Sequence, residues 1–444
     1  MTNPPISSEP SAGGPTMILG SGMAAWGVTD RLRAEGIEPV LYDKNSFAGG
    51  HTATFENQGF YFDDGPHISF TSIERIQDVF SNAVGGEYEV LQADVDNWYQ
   101  GHWVTHPAIA NLYGLPTDLV AQIIEDFVEV AYQPTPDSFA NYNEWLLAAY
   151  GKTFADNFPA AYGRKYHTVD PSLMNTDWLG PRLYRPDLGE LIRGSLAPST
   201  TKQHYVDNFR YPKRNGFAEY LRSFHQSAQL HLNHEAVAID PNERTVQFAN
   251  GEVAGYERLF SSVPLPELIK MLPAPPDVAE AAAKLSCSQC VIVNFGVARD
   301  DLSPAHWRYV YDEDMSTVRM SFPHLFSTST CPPGHGGVQV EVYYSDKYKP
   351  LDHDPADDIG VVRSELIQMG VLREDDELLV AEARVVPYAN VIFDLDSGPS
   401  TELVHRYLDD VGVGYCGRYG DWGYLWTDQS YISGEQAVER MLDT

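Results

Sequence analysis

The apolar positions open as a short run from Thr16 to Leu19, pass into a helical pattern from Met23 to Glu35 that Gly36 terminates, and return as a second run from Glu38 to Tyr42. This order predicts a βαβ unit. Before it, Met1 to Pro15 is rich in Ser, Pro and Gly and has no periodicity, so it reads as a disordered leader. The strand and helix alternation stops after the unit and no repeat of fixed period follows, which excludes a doubly wound sheet along the whole chain. Thr117 to Tyr132 and Asn141 to Asn157 are amphipathic helical stretches, separated by the break at Pro134-Thr-Pro136. Strand patterns reappear at Ala236 to Ile239 and Thr245 to Phe248 around the turn Asp240-Pro-Asn242, which predicts a hairpin. They continue at Val291 to Phe295, Trp307 to Tyr311, Val318 to Phe322 and Val338 to Tyr344. The last segment, Gly412 to Leu442, reads as strand, glycine-rich loop and helix.

A chain of 444 residues exceeds what one core organises, so two or three subdomains are expected. With 30 basic residues against 62 acidic ones and a net charge of −32, the surface repels phosphate backbones and anionic lipid, which argues against nucleic acid or a membrane as partner. An anionic ligand would need a local arginine cluster. No apolar run approaches the roughly 20 residues that cross a bilayer. The four cysteines are too few and too scattered for a disulfide framework and no signal-peptide pattern precedes them, so the cytoplasm is the expected compartment. Cys287-Ser-Gln-Cys290 has the spacing of a redox or zinc pair, but it lacks a second pair and runs into an apolar strand. Ordinary burial of the thiols is the expectation, and no metal site is expected.

Chemistry enters at Gly20-Ser-Gly22-Met-Ala-Ala25. Glycines stand where a strand must turn sharply and where backbone must approach a pyrophosphate at the positive end of a helix. Asp43 ends the second strand, where a carboxylate accepts the hydroxyls of an adenosine ribose. Strand before, helix after and acid at the next strand end together mark a dinucleotide fingerprint, shared by nicotinamide and flavin enzymes.

Gly49-Gly50 and Phe62-Asp-Asp-Gly65-Pro-His67 follow, a flavin-type continuation. With Leu41 to His51, and with Gly417-Arg418-Tyr-Gly-Asp-Trp-Gly-Tyr424, Asp428 and Ser433-Gly434 near the end, the chain resembles the flavoproteins that include amine oxidases, protoporphyrinogen oxidases and UDP-galactopyranose mutases. The segments from Phe158 to Asp170, Arg182, Tyr211-Pro-Lys213 and Val318-Arg319 to Pro323 fit the same group. The resemblance implies an α/β fold with a Rossmann-like FAD-binding domain in residues 16–90, 205–280 and 400–444. It also implies a helical insertion at 91–204 and a mixed or antiparallel substrate-facing sheet at 281–399. It places Gly20, Gly22, Ala25 and Asp43 at the adenosine half of FAD, Gly50, Arg418 and Asp428 at the ribityl and flavin end, and Val237 at the adenine. His67 would sit beside the flavin ring, to tune it or simply to pack. Arg182 and Arg319 match the arginines that hold a nucleotide sugar's diphosphate, and Tyr424 matches a nearby tyrosine. Read without the family, two structural ion pairs are the alternative account of the arginines.

Where bacterial mutases carry a tryptophan after the lysine of Arg164-Lys165, this chain has Tyr166 and His167. Phe70 stands for a family histidine, and His51 follows the glycine pair. Two activities are therefore weighed, a sugar-nucleotide pyranose/furanose mutase working through reduced flavin and an FAD-dependent oxidase or desaturase. The first needs a diphosphate clamp and the second an apolar tunnel.

Overall fold

The computed structural model describes residues 14–134, 136–180, 184–198 and 208–442. They form two compact units, each assembled from separate stretches of chain. The first takes residues up to Ala53, Tyr220–Leu285 and the chain from Gly398 on. The second takes Thr54–Glu219 and Ser286–Ser397.

In the first unit the βαβ opening forms as Thr16–Leu19, the helix Met23–Ala34 and Val40–Tyr42. The second strand begins two residues later than the pattern suggests, because Pro39 has no N–H to give the ladder. Thr16–Leu19 is buried throughout and pairs in parallel with Val40–Tyr42 on one side and Arg258–Ser261 on the other. A central parallel strand is covered on both faces, which explains its unbroken Met-Ile-Leu run. Gln229–His231 and Val413–Tyr415 complete five parallel strands. The hairpin of Ala236–Asp240 and Thr245–Phe248 forms as expected and gains Val253–Gly255 as a third strand.

The opening helix lies against the closing helix, Thr427–Leu442, with their backbones in contact. A Cβ on Gly27 would stand 1.9 Å from the Tyr431 carbonyl oxygen, and one on Gly434 would stand 2.1 Å from that of Ala24. Trp26 meets the Tyr431 ring edge to face at 5.3 Å, and the Tyr431 hydroxyl donates to Asp30 at 2.7 Å.

The second unit is built on a mixed seven-stranded sheet. Its order is Leu378–Ile392, Ser286–Val297, Gly336–Tyr344, Arg319–Ser321, Trp307–Val310, Val95–Tyr99 and His102–Thr105. The pairs are antiparallel except Trp307–Val310 with Val95–Tyr99. The two strands at 95–105 fall within the stretch read from sequence as helical, and the helices themselves start at Thr117. Their Asn-Trp-Tyr content pairs across a tight turn at Gly101 (φ +84°) and shows no helical period.

Thr117–Ala131 forms as a helix, but the Asn141 to Asn157 stretch divides at Gly151 into Tyr142–Tyr150 and Lys152–Ala155. Gly151 has φ +77°, and a Cβ there would lie 2.7 Å from Asp126 backbone, so the chain bends to let the first helix approach. These helices share a core of Leu146, Tyr150, Phe154, Phe158, Ile123 and Phe127. Of the Pro134-Thr-Pro136 break, Thr135 lies outside the described residues. Among the described residues no helix is long and apolar enough to cross a membrane.

Candidate functional site

In the first unit the chain leaves the central strand at Gly20, whose φ is +112° and whose N–H donates to the Tyr42 carbonyl at 2.8 Å. The opening helix starts at Gly22 with no side chain capping it, so its first N–H groups face a position where backbone alone can meet a ligand. A Cβ on Gly22 would come 3.3 Å from the Gly49 carbonyl oxygen. Asp43 is buried at the end of Val40–Tyr42, accepting from Ser21 Oγ at 2.6 Å and from the Asn45 N–H at 2.9 Å. Ser21 Oγ in turn accepts from the Gly49 N–H at 3.1 Å, so one hydroxyl ties the first glycine turn to the second, Gly49-Gly50.

The closing segment reaches the same turn. Gly417 has φ +78°, and a Cβ there would stand 2.8 Å from the Ala24 Cβ. Next to it, Arg418 Nε donates to the Leu425 carbonyl at 3.0 Å and the guanidinium lies 4.9 Å from the Tyr424 ring centroid. Asp428 opens the closing helix in its first turn.

In the second unit the sheet has two unlike faces. Val291, Val293, Val338, Val340, Val342 and Met320 point to one side and pack with Val362 and Leu366 of the helix Asp358–Gln368. The other side carries a row that runs in register through Asn97, Tyr309, Arg319, Glu341, Ile292 and Arg384. A second row holds Trp307, Ser321, Gln339, Asn294 and Glu382. Asn97, Ser321, Gln339, Asn294 and Glu341 are all buried, an expensive arrangement unless each polar group is hydrogen-bonded. Gln339 Nε2 donates to Asn294 Oδ1 at 3.0 Å and to the Asp63 carbonyl at 2.8 Å. Asn294 Nδ2 donates to Glu382 at 3.1 Å.

The centre of this face is a forked ion pair. Arg319 donates through Nε and Nη2 to the two oxygens of Glu341, and the Tyr343 hydroxyl donates to Glu341 Oε1 at 2.9 Å. Burial opposes the charge on Arg319, but the Glu341 carboxylate holds its pKa well above the ordinary value. Arg384 donates to Asp64 Oδ1 at 2.8 Å and lies 3.7 Å from the Phe55 ring centroid.

The hairpin Thr54–Asn57 and Phe60–Asp63 lies over this polar face. A Cβ on Gly296 would come 2.8 Å from the Phe60 ring, and one on Gly337 would come 3.2 Å from the Phe62 ring. Beyond it, His67 Nδ1 lies 2.7 Å from the Gly65 carbonyl, which makes Nδ1 the protonated nitrogen of the neutral ring. Gly65 abuts both His67 and Ile292, so the structure brings His67 and Arg319 to the same face.

The family model for NAD(P)-binding Rossmann-like domains matches residues 18–83. Among solved structures, that of a reduced UDP-galactopyranose mutase aligns with TM-score 0.90 and 25% identity over 97% of this chain and 96% of its own. One assigned as a protoporphyrinogen oxidase, from Exiguobacterium sp. 255-15, aligns with TM-score 0.77 and 14% identity over 98% and 100%. This is the fold of the flavin amine oxidase superfamily, and its cofactor is FAD.

Curated relatives of this flavoprotein match over less of their length. A lycopene-forming phytoene desaturase of Pantoea ananas is 35% identical over 16% of this chain and 14% of its own. A 4,4'-diapophytoene desaturase of Staphylococcus aureus (strain Newman) is 22% identical over 57% of this chain and 56% of its own. The chain thus spans about half the length, or less, of these relatives.

The flavoprotein's first unit fits a dinucleotide. Gly20, Gly22 and Gly417 leave the first turn of the opening helix clear of side chains, and Asp43 presents a carboxylate with one bond to each oxygen and further lone pairs. Removing it is expected to lower flavin retention: Asp43→Ala should purify with less than about half the flavin of the native chain, as judged by the 450 to 280 nm absorbance ratio. Full occupancy would take Asp43 out of the cofactor site.

Of the residues expected at the site, Gly20, Gly22, Ala25, Asp43 and Gly50 meet in the first unit, with Arg418, Tyr424 and Asp428 in the adjoining closing segment. Val237 is 44% exposed on the small hairpin sheet. Arg182 lies outside the described residues. Tyr166 and His167 are both buried, so neither offers the exposed ring that a stacked base needs. Burial alone pulls the His167 pKa down to about 3 and keeps it neutral. Cys287 donates to the Asn390 carbonyl at 3.0 Å and Cys290 is buried. Among the described residues all four cysteines are thiols and no group of His, Cys, Asp and Glu is placed to hold a metal ion.

Sequence reasoning missed Ser21, Glu341 and Asp63. The sign of Glu341 was present, a carboxylate alternating with valines in Gln339-Val-Glu341-Val-Tyr343 where every residue is buried. Asp63 anchors the hairpin that leads to His67. Its Oδ1 accepts from Thr54 at 2.6 Å and from the Phe217 N–H at 2.9 Å, and its Oδ2 accepts from Tyr211 at 2.7 Å. Burial raises its pKa to about 6 despite these donors. A carboxyl raised in the folded state binds a proton that the unfolded chain has released, so its contribution is present at pH 4 and is lost as pH rises toward 6. Asp63→Asn keeps the shape without the charge. Its stability relative to the native chain should therefore rise by on the order of 2 kcal/mol between pH 4 and 6.5 in urea titrations. A difference that stays constant with pH would contradict this assignment.

Proposed function

We propose that this flavoprotein is a pyranose/furanose mutase acting on a nucleoside diphosphate sugar through reduced FAD. The observation that carries the reading is the agreement with UDP-galactopyranose mutase along both chains, at TM-score 0.90, set against the curated desaturases above, matched over 16% and 57% of the chain. Bound reduced flavin supplies an electron-rich centre for bond exchange at the anomeric carbon. The chain's own part is binding and orientation. Arg319 meets the diphosphate through the N–H groups that Glu341 leaves over, and Tyr343 holds Glu341 in register behind it. Buried Asn97, Asn294 and Gln339 keep the polar face ordered and dry. No pair of general acid and base carboxylates is required.

One observation favours the other class. The Arg319 charge is already matched by Glu341, so this pair brings no net positive charge to an anionic ligand, as suits an oxidase or desaturase with an uncharged substrate. Titration of the FAD-loaded protein with UDP-, GDP- and TDP-sugars, followed in the flavin spectrum, separates the two. The mutase reading expects saturable binding of at least one nucleotide sugar and identifies the base. Absence of binding across the panel, with reoxidation by oxygen after an amine, porphyrinogen or polyene has reduced the flavin, would transfer the protein to the oxidoreductases.

A further inference from the structure

The short helix Ala161–Tyr166 places two tyrosines beside the Arg319–Glu341 pair. Tyr162 and Tyr166 stack at 5.5 Å. Tyr162 meets Tyr309, the register partner of Arg319, edge to face at 5.4 Å, and Tyr166 meets Tyr343 at 4.9 Å. What ties this helix to the sheet is a buried ammonium. Lys165 Nζ donates to the carbonyls of Val310 at 2.9 Å, Asp312 at 2.8 Å and Thr317 at 2.7 Å, which uses all three of its hydrogens. From the other side Glu365, on Asp358–Gln368, accepts from the N–H groups of Ser316 at 2.6 Å and Thr317 at 2.8 Å. Thr317 is thus gripped at its carbonyl by a cation and at its amide by an anion, two residues before Arg319.

Packing alone does not call for this arrangement. A buried ammonium is costly, and a methionine of similar length would fill the space. Burial lowers the Lys165 pKa to about 7, with Glu365, Asp312 and Asp314 opposing that shift and Lys349 reinforcing it. The three carbonyls belong to the end of one strand and the turn after it, and without Lys165 they lose these donors.

We propose that Lys165 is a positioning residue that holds Tyr162 and the Asp312–Thr317 turn around Arg319, and thereby sets the affinity of the Arg319 site for a diphosphate. The proposal rests on the mutase reading for its ligand, though not for the tie itself. It is tested on the FAD-loaded full chain with UDP as probe, by calorimetry, comparing Lys165→Met in the native background and in a background of Arg319→Met with Glu341→Gln. Lys165→Met should weaken UDP binding about tenfold in the first and by less than about twofold in the second, since groups acting through one another are not additive. Flavin content should not change. Equal losses in both backgrounds, or no loss in either, would overturn the proposal.

If the native protein binds no UDP, the nucleotide reading fails while the tie remains testable by hydrogen exchange. Lys165→Met should then raise exchange of the 312–319 amides by about tenfold or more and leave 286–297 unchanged. Unaltered exchange at 312–319 would refute the tie. Should Lys165→Met not fold, Glu365→Gln releases the same turn from the opposite side and must give the same pattern.

Discussion

Replacing Gly27 by alanine is expected to yield a chain that purifies largely without flavin and melts well below the native protein. The opening helix carries at its start the glycine turn proposed to receive the dinucleotide, and Gly27 lies one turn further along, against the closing helix. An added methyl would stand 1.9 Å from the Tyr431 carbonyl oxygen and 2.8 Å from its carbon. These are backbone atoms of another helix, so no rotamer change relieves the clash and the two helices must separate. Overpacking a core commonly costs 1–3 kcal/mol, and a clash of backbone with backbone belongs at about 3 kcal/mol or more. Separation would also withdraw Gly434 from Ala24 and Gly417 from the first turn, loosening the turn and the Arg418 segment together. The 450 to 280 nm absorbance ratio and a thermal melt measure both consequences. Native flavin content with a melting point within about 2 °C of the native protein would refute the close helix packing.

Arg319→Ala is expected to destabilise the second unit before it reports on any ligand. Glu341 has a side chain only 6% exposed, and the substitution leaves its carboxylate buried with the Tyr343 hydroxyl but without its cation. Removing one member of a buried pair costs about 3–5 kcal/mol, more than a lost surface contact. Glu341→Gln introduced into the Arg319→Ala chain should recover most of that loss, because the stranded charge is gone. Urea unfolding of the single and double variants decides the matter. A single variant as stable as the native chain, or a double variant no better than the single, would show that the fork is not a buried, coupled pair. Ligand affinities measured on Arg319→Ala alone therefore mix two effects, and the charge-free double background is the appropriate comparison.

The parts of the fold that were legible in the sequence are those written in local signals. Gly20-Ser-Gly22 between an apolar run and a helical pattern could form little else, and Asp240-Pro-Asn242 between alternating strands specified its hairpin. Non-local features were not legible. The strands at 95–105 are short and aromatic, and their place beside Trp307–Val310 depends on a partner two hundred residues away. The break at Gly151 is set by the approach of Asp126, which the local amphipathic pattern does not encode. The same division holds at the candidate site. Glycines and Asp43 announce themselves by spacing, whereas Arg319 was visible as a residue but not as the partner of Glu341, because a cross-strand pair exists only once register is known.

The central claim, that the chain uses reduced flavin to interconvert ring forms of a nucleotide sugar, is tested most directly by one turnover measurement. A single FAD-loaded preparation is divided, one half reduced with dithionite under anaerobic conditions and the other kept oxidised. Both are incubated with UDP-, GDP- and TDP-sugars, and the pyranose to furanose ratio is read by chromatography. The account predicts that the reduced half brings at least one sugar to a mixture of both rings and that the oxidised half leaves every sugar unchanged. Fully reduced, fully loaded protein that converts none of them would contradict it.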